Sequence, residues 1–309
     1  MILCCGEALI DMIPSPTIEG GKDGFVPHSG GAVFNTAIAL GRLGVQTGMI
    51  TGLSTDMFGQ QLDEALRASH VDTTRVIRSD RPTTLAFVKL TDGHASYSFF
   101  DESSAGRMIR PEDLPNLSDE VSALFFGGIS LAVEPCADTY AALAEREAAG
   151  RAVMMDPNIR PGFIKDVDRY RDRLARMLRL TDIVKVSDED LNWIYPGPES
   201  LQAKLDKLRA TGPRLVVMTR GGEGATAYLS DGTEVTVAAE RVAAVDTVGA
   251  GDTFNAGVMA SLSEQGLLTK AGVAGVTADQ MTQALALAAK AAAVTVSRAG
   301  ANPPWREEL

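Results

Sequence analysis

The sequence has few cysteines and no long apolar run. Only Cys4, Cys5 and Cys136 are cysteines among its 309 residues. An odd and sparse count predicts a reducing compartment and no disulfide framework. The apolar run at the N-terminus is short, and no basic residues precede it. We therefore predict no signal peptide, no membrane span and a cytoplasmic location.

Basic residues are fewer than acidic ones. The chain has 29 Lys and Arg against 40 Asp and Glu, which gives a formal net charge of −11. An acidic surface argues against nucleic acid and anionic membranes as partners, although one local pocket can still bind an anion. The three histidines, His28, His70 and His94, lack the spacing of metal ligands.

Two common phosphate-binding motifs are missing. The chain has no G-x-x-x-x-G-K-[ST] loop of the Walker type. A dinucleotide fingerprint requires G-x-G-x-x-G after the first strand. Gly249 and Gly251 lie late in the chain instead, and Phe254 takes the place of the third glycine. The missing dinucleotide fingerprint disfavours a dehydrogenase.

Apolar strands alternate with helices along most of the chain. The run ILCCGEALI at 2–10 predicts one buried strand, and Gly30 and Gly31 open a helix that Gly44 ends. Strands that are apolar throughout predict a mostly parallel sheet covered by helices on both faces, a three-layer α/β/α fold in one domain over 1–309. Further strands are predicted at 48–51, 123–128, 151–156, 182–187 and 214–220.

Two segments break this alternation, at about 12–29 and 83–105. The first is rich in Pro, Gly and charge. In the second, the runs TLAFVKL and ASYSFF flank Asp92 and Gly93, a strong hairpin signal. We predict that the two segments form a small β-sheet lid over one end of the main domain.

The stretch VDTVGAGDTFNAG, residues 245–257, joins glycines to a carboxylate before a helix. Gly249, Ala250 and Gly251 allow close backbone approach to a ligand, and the first amides of a helix attract anions. Asp252 beside this anion hole could take a proton from a hydroxyl during phosphoryl transfer. The alternative is a glycine turn in which Asp252 caps the helix.

A second polar cluster lies near the N-terminus. Asp11 follows the first strand, and Gly30, Gly31 and Asn35 open the first long helix. Short polar side chains and bare backbone can hydrogen-bond a polyol. The alternative is an ordinary helix start with a loop carboxylate.

Together the two clusters resemble the signatures of the ribokinase-like (PfkB) sugar kinases. GGAVFNTAIALGRLG at 30–44 is similar to the N-terminal signature, and DTVGAGDTFNAG to the C-terminal one. Further matching stretches are DPNIRPGF at 156–163, KVSDEDL at 185–191, TRGGEGA at 219–225 and VSRAGANPPW at 296–305.

The resemblance implies an ATP-dependent kinase with magnesium and potassium. Asp252 matches the catalytic base, and Gly249, Ala250 and Gly251 match the anion hole. Residues matching sugar contacts are Asp11, Gly30, Gly31 and Asn35. Residues matching the nucleotide site are Lys185, Ser187, Thr219, Gly221 and Gly224. The monovalent-cation loop is matched, largely through backbone, by Asp246, Val248, Thr295, Arg298 and Gly300.

The chain departs from the family pattern at two places. Ser187-Asp-Glu-Asp190 stands where an Asn-x-x-Glu motif often organises magnesium and its waters, so Asp190 is expected to act on magnesium indirectly. Ribokinases carry a sugar-contacting Glu after the mid-sheet strand. Gly127 to Ser130 match that stretch here, which disfavours ribose.

The lid and the opening segment look most similar to those of bacterial fructokinases. Tyr97 and Phe99 would share the lid face that closes on the sugar. The implied reaction phosphorylates the 6-hydroxyl of D-fructose, and the implied assembly is a homodimer formed through the lid. Arg160 leaves a 2-keto-3-deoxygluconate kinase as the alternative, because relatives use an arginine there near an acidic substrate. An aminoimidazole riboside or nucleoside kinase and a non-catalytic sugar sensor are the further alternatives.

Overall fold

A computed structural model describes residues 1–16, 23–91 and 94–309. The side chains of residues 16, 23, 89–91 and 94–97 lie outside this description. The described strands, β1 to β15, are Ile2–Cys5, Leu9–Pro16, Asp23–Gly30, Thr47–Ile50, Gly52–Ser54, Val71–Asp72, Ile77–Ser79, Leu85–Thr91, His94–Phe100, Ala123–Gly127, Ala152–Asp156, Ile183–Ser187, Leu215–Thr219, Ala225–Tyr228 and Glu234–Val237. The described α-helices, α1 to α9, are Ala32–Arg42, Met57–Ala68, Cys136–Glu147, Val167–Leu180, Asp188–Ile194, Leu201–Arg209, Ala250–Glu264, Lys270–Val273 and Ala278–Val296.

Nine of these strands form the main sheet, in the order β15-β14-β13-β12-β11-β10-β1-β4-β6. The pairs from β13 through β6 are parallel, whereas β14 and β15 are antiparallel. The hairpin of β14 and β15 has Asp231 and Gly232 in its turn, as an Asp-Gly pair predicts. The predicted mostly parallel sheet is therefore confirmed.

The sheet is buried on both faces, and β1 shows why. Ile2 and Cys4 point into one core, which α1, α7 and α9 cover. Leu3 and Cys5 point into the other, which α3 and α4 cover. Alternate residues of one strand therefore enter opposite layers, which requires apolar side chains at every position. All three cysteines are free and buried.

The prediction of one strand over 2–10 is wrong. The backbone leaves the main sheet after Cys5 and enters a second sheet at Leu9. Gly6 lies at this break, where a side-chain Cβ would come within 2.5 Å of Val33 in α1. The break is invisible in the sequence because both sheets bury the run, so its apolar pattern continues without interruption.

The second sheet has the strand order β3-β2-β8-β9. Its strands overlap the two segments predicted as a lid, although β2 begins at Leu9, before the predicted start. Residues 17–22, Asp92 and Gly93 lie outside the described residues. Asp11 pairs with Ala86, and Ala86 pairs with Phe99, so the three share one face of this sheet. That face is turned toward the carboxyl ends of the main strands, where Asp11 and Phe99 line a cavity.

No helix in the described ranges is both long enough and apolar enough to cross a membrane. The first long helix, α1, is followed by Gly44 at a φ of 81°, as predicted for its C-terminal end.

Candidate active site

The start of α7 brings the predicted anion hole together. Gly249 has a φ of 78° and directly precedes the helix. A Cβ at this residue would lie 2.7 Å from the Cβ of Ala301, so only glycine fits without strain. The amides of Gly251 and Asp252 have no acceptor among the described residues. Two amides with a positive helix dipole behind them can bind an anion at this point.

Asp252 lies in the first turn of α7 and is 8% exposed. Asn35 of α1 donates a hydrogen bond from Nδ2 to Asp252 Oδ2 at 2.9 Å. Burial raises the pKa of the Asp252 carboxyl to about 7. No described residue donates to Oδ1, so this oxygen can accept a proton from a ligand.

Asp252 opens onto a cavity of about 470 Å³. Burial raises the pKa of Asp11, on the small-sheet wall of this cavity, to about 6. Gly30 makes room for Asp11, because a Cβ there would lie 2.2 Å from Asp11 Oδ2. Predicted residues that line this cavity are Asp11, Gly31, Asn35, Phe99, Arg160, Lys185, Ser187, Asp190, Val248, Gly249, Gly251 and Asp252. The side chain of Tyr97 lies outside the described residues.

Phe99 and Arg160 form the outer part of this cavity. The ring of Phe99 packs edge-on against Phe163, with centroids 3.9 Å apart. Arg160 is exposed, and its Nη1 donates to the carbonyl of Ile159 at 3.2 Å. An exposed guanidinium at the rim can reach solvent as readily as a ligand.

A second cavity, of about 690 Å³, lies on the other side of the anion hole. Thr219, Gly221 and Gly224, the residues that match the family's nucleotide site, line this cavity. Gly224 has a φ of 101°, and a Cβ there would lie 2.2 Å from the carbonyl oxygen of Val237. Most of the remaining lining is apolar and includes Val242, Phe254, Leu285, Ala292 and Val296. Such walls suit a flat aromatic base.

The two cavities meet at the start of α7. Thr247 and Gly251 line both of them. Lys185 and Ser187, which were predicted for the nucleotide, line the first cavity and not the second. A nucleotide in the second cavity could bring only its terminal phosphate close to these two residues.

Lys185 belongs to a buried polar network that the sequence analysis did not find. Its Nζ donates to Asp156 Oδ2 at 3.0 Å, and Asn255 Nδ2 donates to the same oxygen at 2.7 Å. Burial by itself would lower the pKa of Lys185, but the carboxylates of Asp156 and Asp190 raise it above its ordinary value. A Cβ at Gly251 would lie 3.4 Å from Nζ, so this cation stands beside the anion hole.

Glu7 is a second residue that the sequence analysis missed. It lies between β1 and β2, is 9% exposed and lines the first cavity. Burial raises the pKa of its carboxyl. A single Glu inside an apolar run is the only sequence signal for it.

The carboxylate of Asp190 accepts three hydrogen bonds from its own surroundings. Its Oδ2 accepts from the backbone N of Ser187 at 3.0 Å and from Ser187 Oγ at 2.8 Å. Its Oδ1 accepts from the backbone N of Ile159 at 2.8 Å. Because a carboxylate accepts about four hydrogen bonds, Asp190 has little capacity left for direct contact with a metal.

The predicted cation loop is held closed by Asp246. Its Oδ1 accepts from Val248 N at 3.0 Å, and its Oδ2 accepts from Gly300 N at 2.9 Å. Thr295 Oγ1 donates to Thr253 Oγ1 in α7 at 2.9 Å, which joins this loop to the helix of the anion hole. The backbone N of Arg298 donates to the carbonyl of Thr295 at 3.0 Å.

Known proteins resemble this chain in sequence and in fold. The model of the pfkB family carbohydrate kinases matches residues 1–308. A fructokinase from Rhizobium leguminosarum bv. trifolii is 56% identical over 278 residues, which cover 89% of this chain and 83% of the relative.

Two solved structures show the same fold. One is a fructokinase from Xylella fastidiosa with bound ATP, with a TM-score of 0.89, 29% identity and coverage of 97% of this chain and 93% of that one. The other is a fructokinase double mutant from Vibrio cholerae O395 in a form with bound fructose, ADP and potassium, with a TM-score of 0.83, 26% identity and coverage of 97% and 93%. The predicted ribokinase-like fold is therefore confirmed, and the chain belongs to the pfkB family of carbohydrate kinases.

Proposed function

We propose that this protein transfers the γ-phosphoryl group of ATP to the 6-hydroxyl of D-fructose. The observation that carries the proposal is the meeting of the two cavities at the start of α7, where Thr247 and Gly251 line both. A sugar in the polar cavity and a nucleotide in the apolar one would place a hydroxyl and a phosphate on either side of the anion hole. Phosphoryl transfer depends mainly on such positioning.

The charges of the first cavity favour a neutral sugar over a sugar acid. Glu7, Asp11 and Asp252 all face this cavity. Lys185 is already paired with Asp156, and Arg160 lies exposed at the rim. A further carboxylate brought in by a sugar acid would be repelled, whereas hydroxyl groups can donate to these oxygens. The 56% identity to a fructokinase supports fructose as the neutral sugar.

In the proposed mechanism Asp252 Oδ1 accepts the proton of the sugar hydroxyl. Asn35 holds Oδ2 and so orients the carboxylate. The sugar oxygen attacks the γ-phosphorus in line, a new P–O bond forms and the bond to the β-phosphate oxygen breaks, which releases ADP. The amides of Gly251 and Asp252, together with Lys185, stabilise the charge on the transferring group.

We propose magnesium as the metal that accompanies ATP. Bound magnesium would neutralise charge on the β- and γ-phosphates. The hydrogen bonds to Asp190 from Ser187 and Ile159 fit a role through metal-bound water rather than direct ligation. Asp190 would then act on magnesium indirectly. Titrating the activity of the Asp190→Asn variant with magnesium tests this role.

We further propose that a potassium ion binds the loop that Asp246 closes. The loop offers backbone carbonyls, and the described residues form no cluster of acidic, His or Cys side chains for a metal. Hydrogen bonds from Val248 and Gly300 to Asp246 keep that backbone together. A large organic cation in place of potassium should lower the rate if the ion shapes the anion hole.

The lid is proposed to pair two copies of the chain. On the face away from the cavity, Phe87 contacts the rings of Phe25 and Phe100 at centroid distances of 5.1 and 5.5 Å. Phe25 and Phe100 are 45% and 59% exposed, so this face is available to a second lid. Sedimentation equilibrium measures the mass, and a monomer at micromolar concentration would contradict this assembly. The cytoplasmic location stays a prediction.

The substrate is tested by ATP consumption with a panel of sugars and with the Arg160→Ala variant. We expect fructose to give the highest kcat/KM among fructose, 2-keto-3-deoxygluconate, ribose, glucose and aminoimidazole riboside. Because a neutral sugar does not need the rim guanidinium, Arg160→Ala should change kcat/KM for fructose by less than about threefold.

Two results would contradict the choice of fructose. A preference for the keto-deoxy acid that Arg160→Ala abolishes would mean that Arg160 binds a carboxylate. Binding of sugars without any ADP release would favour a non-catalytic sensor. The Arg169→Ala variant, which removes a surface arginine paired with Asp138, is the matched control.

A further inference from the structure

We propose that Glu7 determines which sugar the first cavity accepts, by receiving a hydrogen bond from one sugar hydroxyl. The inference rests on the proposed kinase function and adds a residue that contacts the sugar. It starts from the position of Glu7 on the cavity wall with Asp11, Asn35 and Asp252.

The backbone and the carboxylate of Glu7 are both fixed. The carbonyl of Glu7 accepts from the backbone N of Phe34 at 3.2 Å. Its Oε1 accepts from Ala32 N, at the start of α1, at 3.0 Å, and its Oε2 accepts from Ser130 N at 3.2 Å. A preorganised acceptor of this kind can select a hydroxyl by its position.

Two glycines make the space that the carboxylate occupies. Gly128 has a φ of 67°, and a Cβ there would lie 2.0 Å from Glu7 Oε1. Gly31 has a φ of 108°, and a Cβ there would lie 3.1 Å from Glu7 Cγ. Two separate segments therefore have glycine, with no Cβ, where the side chain of Glu7 enters the cavity.

The Glu7 carboxylate accepts hydrogen bonds from amides and has no cation beside it among the described residues. A carboxylate offers about four lone-pair sites. The amides of Ala32 and Ser130 each donate to one oxygen, and the Val33 amide and the Ser130 side chain lie near enough to offset part of the rise in the pKa of Glu7 that burial causes. No Lys, Arg or His among the described residues forms an ion pair with Glu7. A buried carboxylate on a cavity wall with no cation beside it is suited to O–H donors, and a sugar entering the cavity supplies them.

A purely structural role for Glu7 would be to cap α1 and the turn at Ser130. The two roles differ in what a sugar analogue reveals. A structural defect lowers activity with every analogue to the same extent. The loss of one hydrogen bond lowers activity only with analogues that carry the donating hydroxyl, which is the logic of a double-mutant cycle.

The test compares the native protein with Glu7→Gln on fructose and on a series of analogues that each lack one hydroxyl. We expect Glu7→Gln to raise KM for fructose about 10–100-fold, the loss expected for a hydrogen bond to a charged acceptor. KM for ATP should change less than about twofold. For one analogue, the ratio of kcat/KM between the two proteins should fall close to one.

Glu147→Gln is the matched control. Glu147 is also 9% exposed, but it lies in α3 and pairs with Arg146 and Arg151 away from the cavity. Its variant should lower Tm and leave the analogue ratios unchanged. If Glu7→Gln does not fold, Glu7→Asp keeps the charge and withdraws it by one methylene group, and the same ratios apply.

The assignment would be overturned if the ratio of kcat/KM between the native protein and Glu7→Gln were equal for all analogues. It would also be overturned if this ratio were near one for fructose itself. Failure of the proposed function appears separately, because it shows in the native protein as a lack of turnover with fructose. In that case the series is built on whichever sugar the native protein phosphorylates.

Discussion

Replacing Asp252 by Asn should lower kcat about 10²–10⁴-fold, the usual contribution of a general base. Binding of ATP and fructose should remain within a few-fold of the native values, because Asn has the same shape and its side-chain oxygen can still accept the bond from Asn35. Initial rates give kcat, and calorimetric titration gives the two dissociation constants.

The pKa of Asp252 also predicts how kcat/KM of the native protein depends on pH. The pKa of Asp252 is about 7, and only the ionised form can accept the hydroxyl proton. The value of kcat/KM should therefore rise about tenfold per pH unit below pH 7 and level off above it. Asp252→Asn should lack this rise.

The stability of the folded protein should fall as pH rises, whereas kcat/KM rises. The folded protein holds the proton of Asp252 up to about pH 7, whereas the unfolded chain loses it near its ordinary pKa of 3.8. The folded state therefore binds more protons between these values, and its stability falls as pH rises through this window. Asp252→Asn should raise Tm at pH 8 and have little effect on Tm at pH 4.

The Asp182→Asn variant is the matched control for Asp252→Asn. Asp182 is 5% exposed and pairs with Lys270 far from the cavities, so Asp182→Asn should lower Tm and leave kcat nearly unchanged. Turnover that persists in Asp252→Asn with an unchanged pH profile would show that another group removes the proton.

Replacing Lys185 by Met should lower both stability and turnover. The variant leaves Asp156 buried with only Asn255 as a side-chain donor, and removing one partner of a buried ion pair costs about 3–5 kcal/mol. It also removes the buried cation beside the anion hole, which should lower kcat about 10²–10³-fold. Thermal unfolding and initial rates measure the two effects separately.

A double variant separates the two roles of Lys185. Adding Asp156→Asn removes the unpaired charge and should recover most of the lost Tm, but kcat should stay low. The control is Lys204→Met, because Lys204 is also buried but bonds the neutral Asn192 away from the cavities. If the double variant regains native kcat, Lys185 acts only on structure.

The fold and the anion hole could be predicted from the sequence because their signals are local. Alternating apolar strands and helices identify the layered sheet, and the glycines around Ala250 identify the helix start. Asn35 was identified because it belongs to a contiguous signature, and Asp11 because it matches a sugar contact of the family. Asn35 and Asp252 lie far apart in the chain and meet through a hydrogen bond, but each is part of a local signature.

Residues that act through distant partners were not predictable. The Glu7 carboxylate occupies space that Gly128 leaves open, and Asp156 accepts hydrogen bonds from Lys185 and Asn255. The break of the first strand at Gly6 was missed for a related reason, since the second sheet buries the residues that follow. Periodicity records burial and not which sheet provides it.

The position of the phosphate on the product tests the central claim most directly. Fructose has primary hydroxyls at C1 and C6, and the proposed site places one of them against Asp252 and the anion hole. Phosphorus and carbon NMR of the product from ATP and fructose should show the phosphate on C6 alone. A phosphate on C1, or no phosphorylated fructose at all, would contradict the proposed orientation of the sugar.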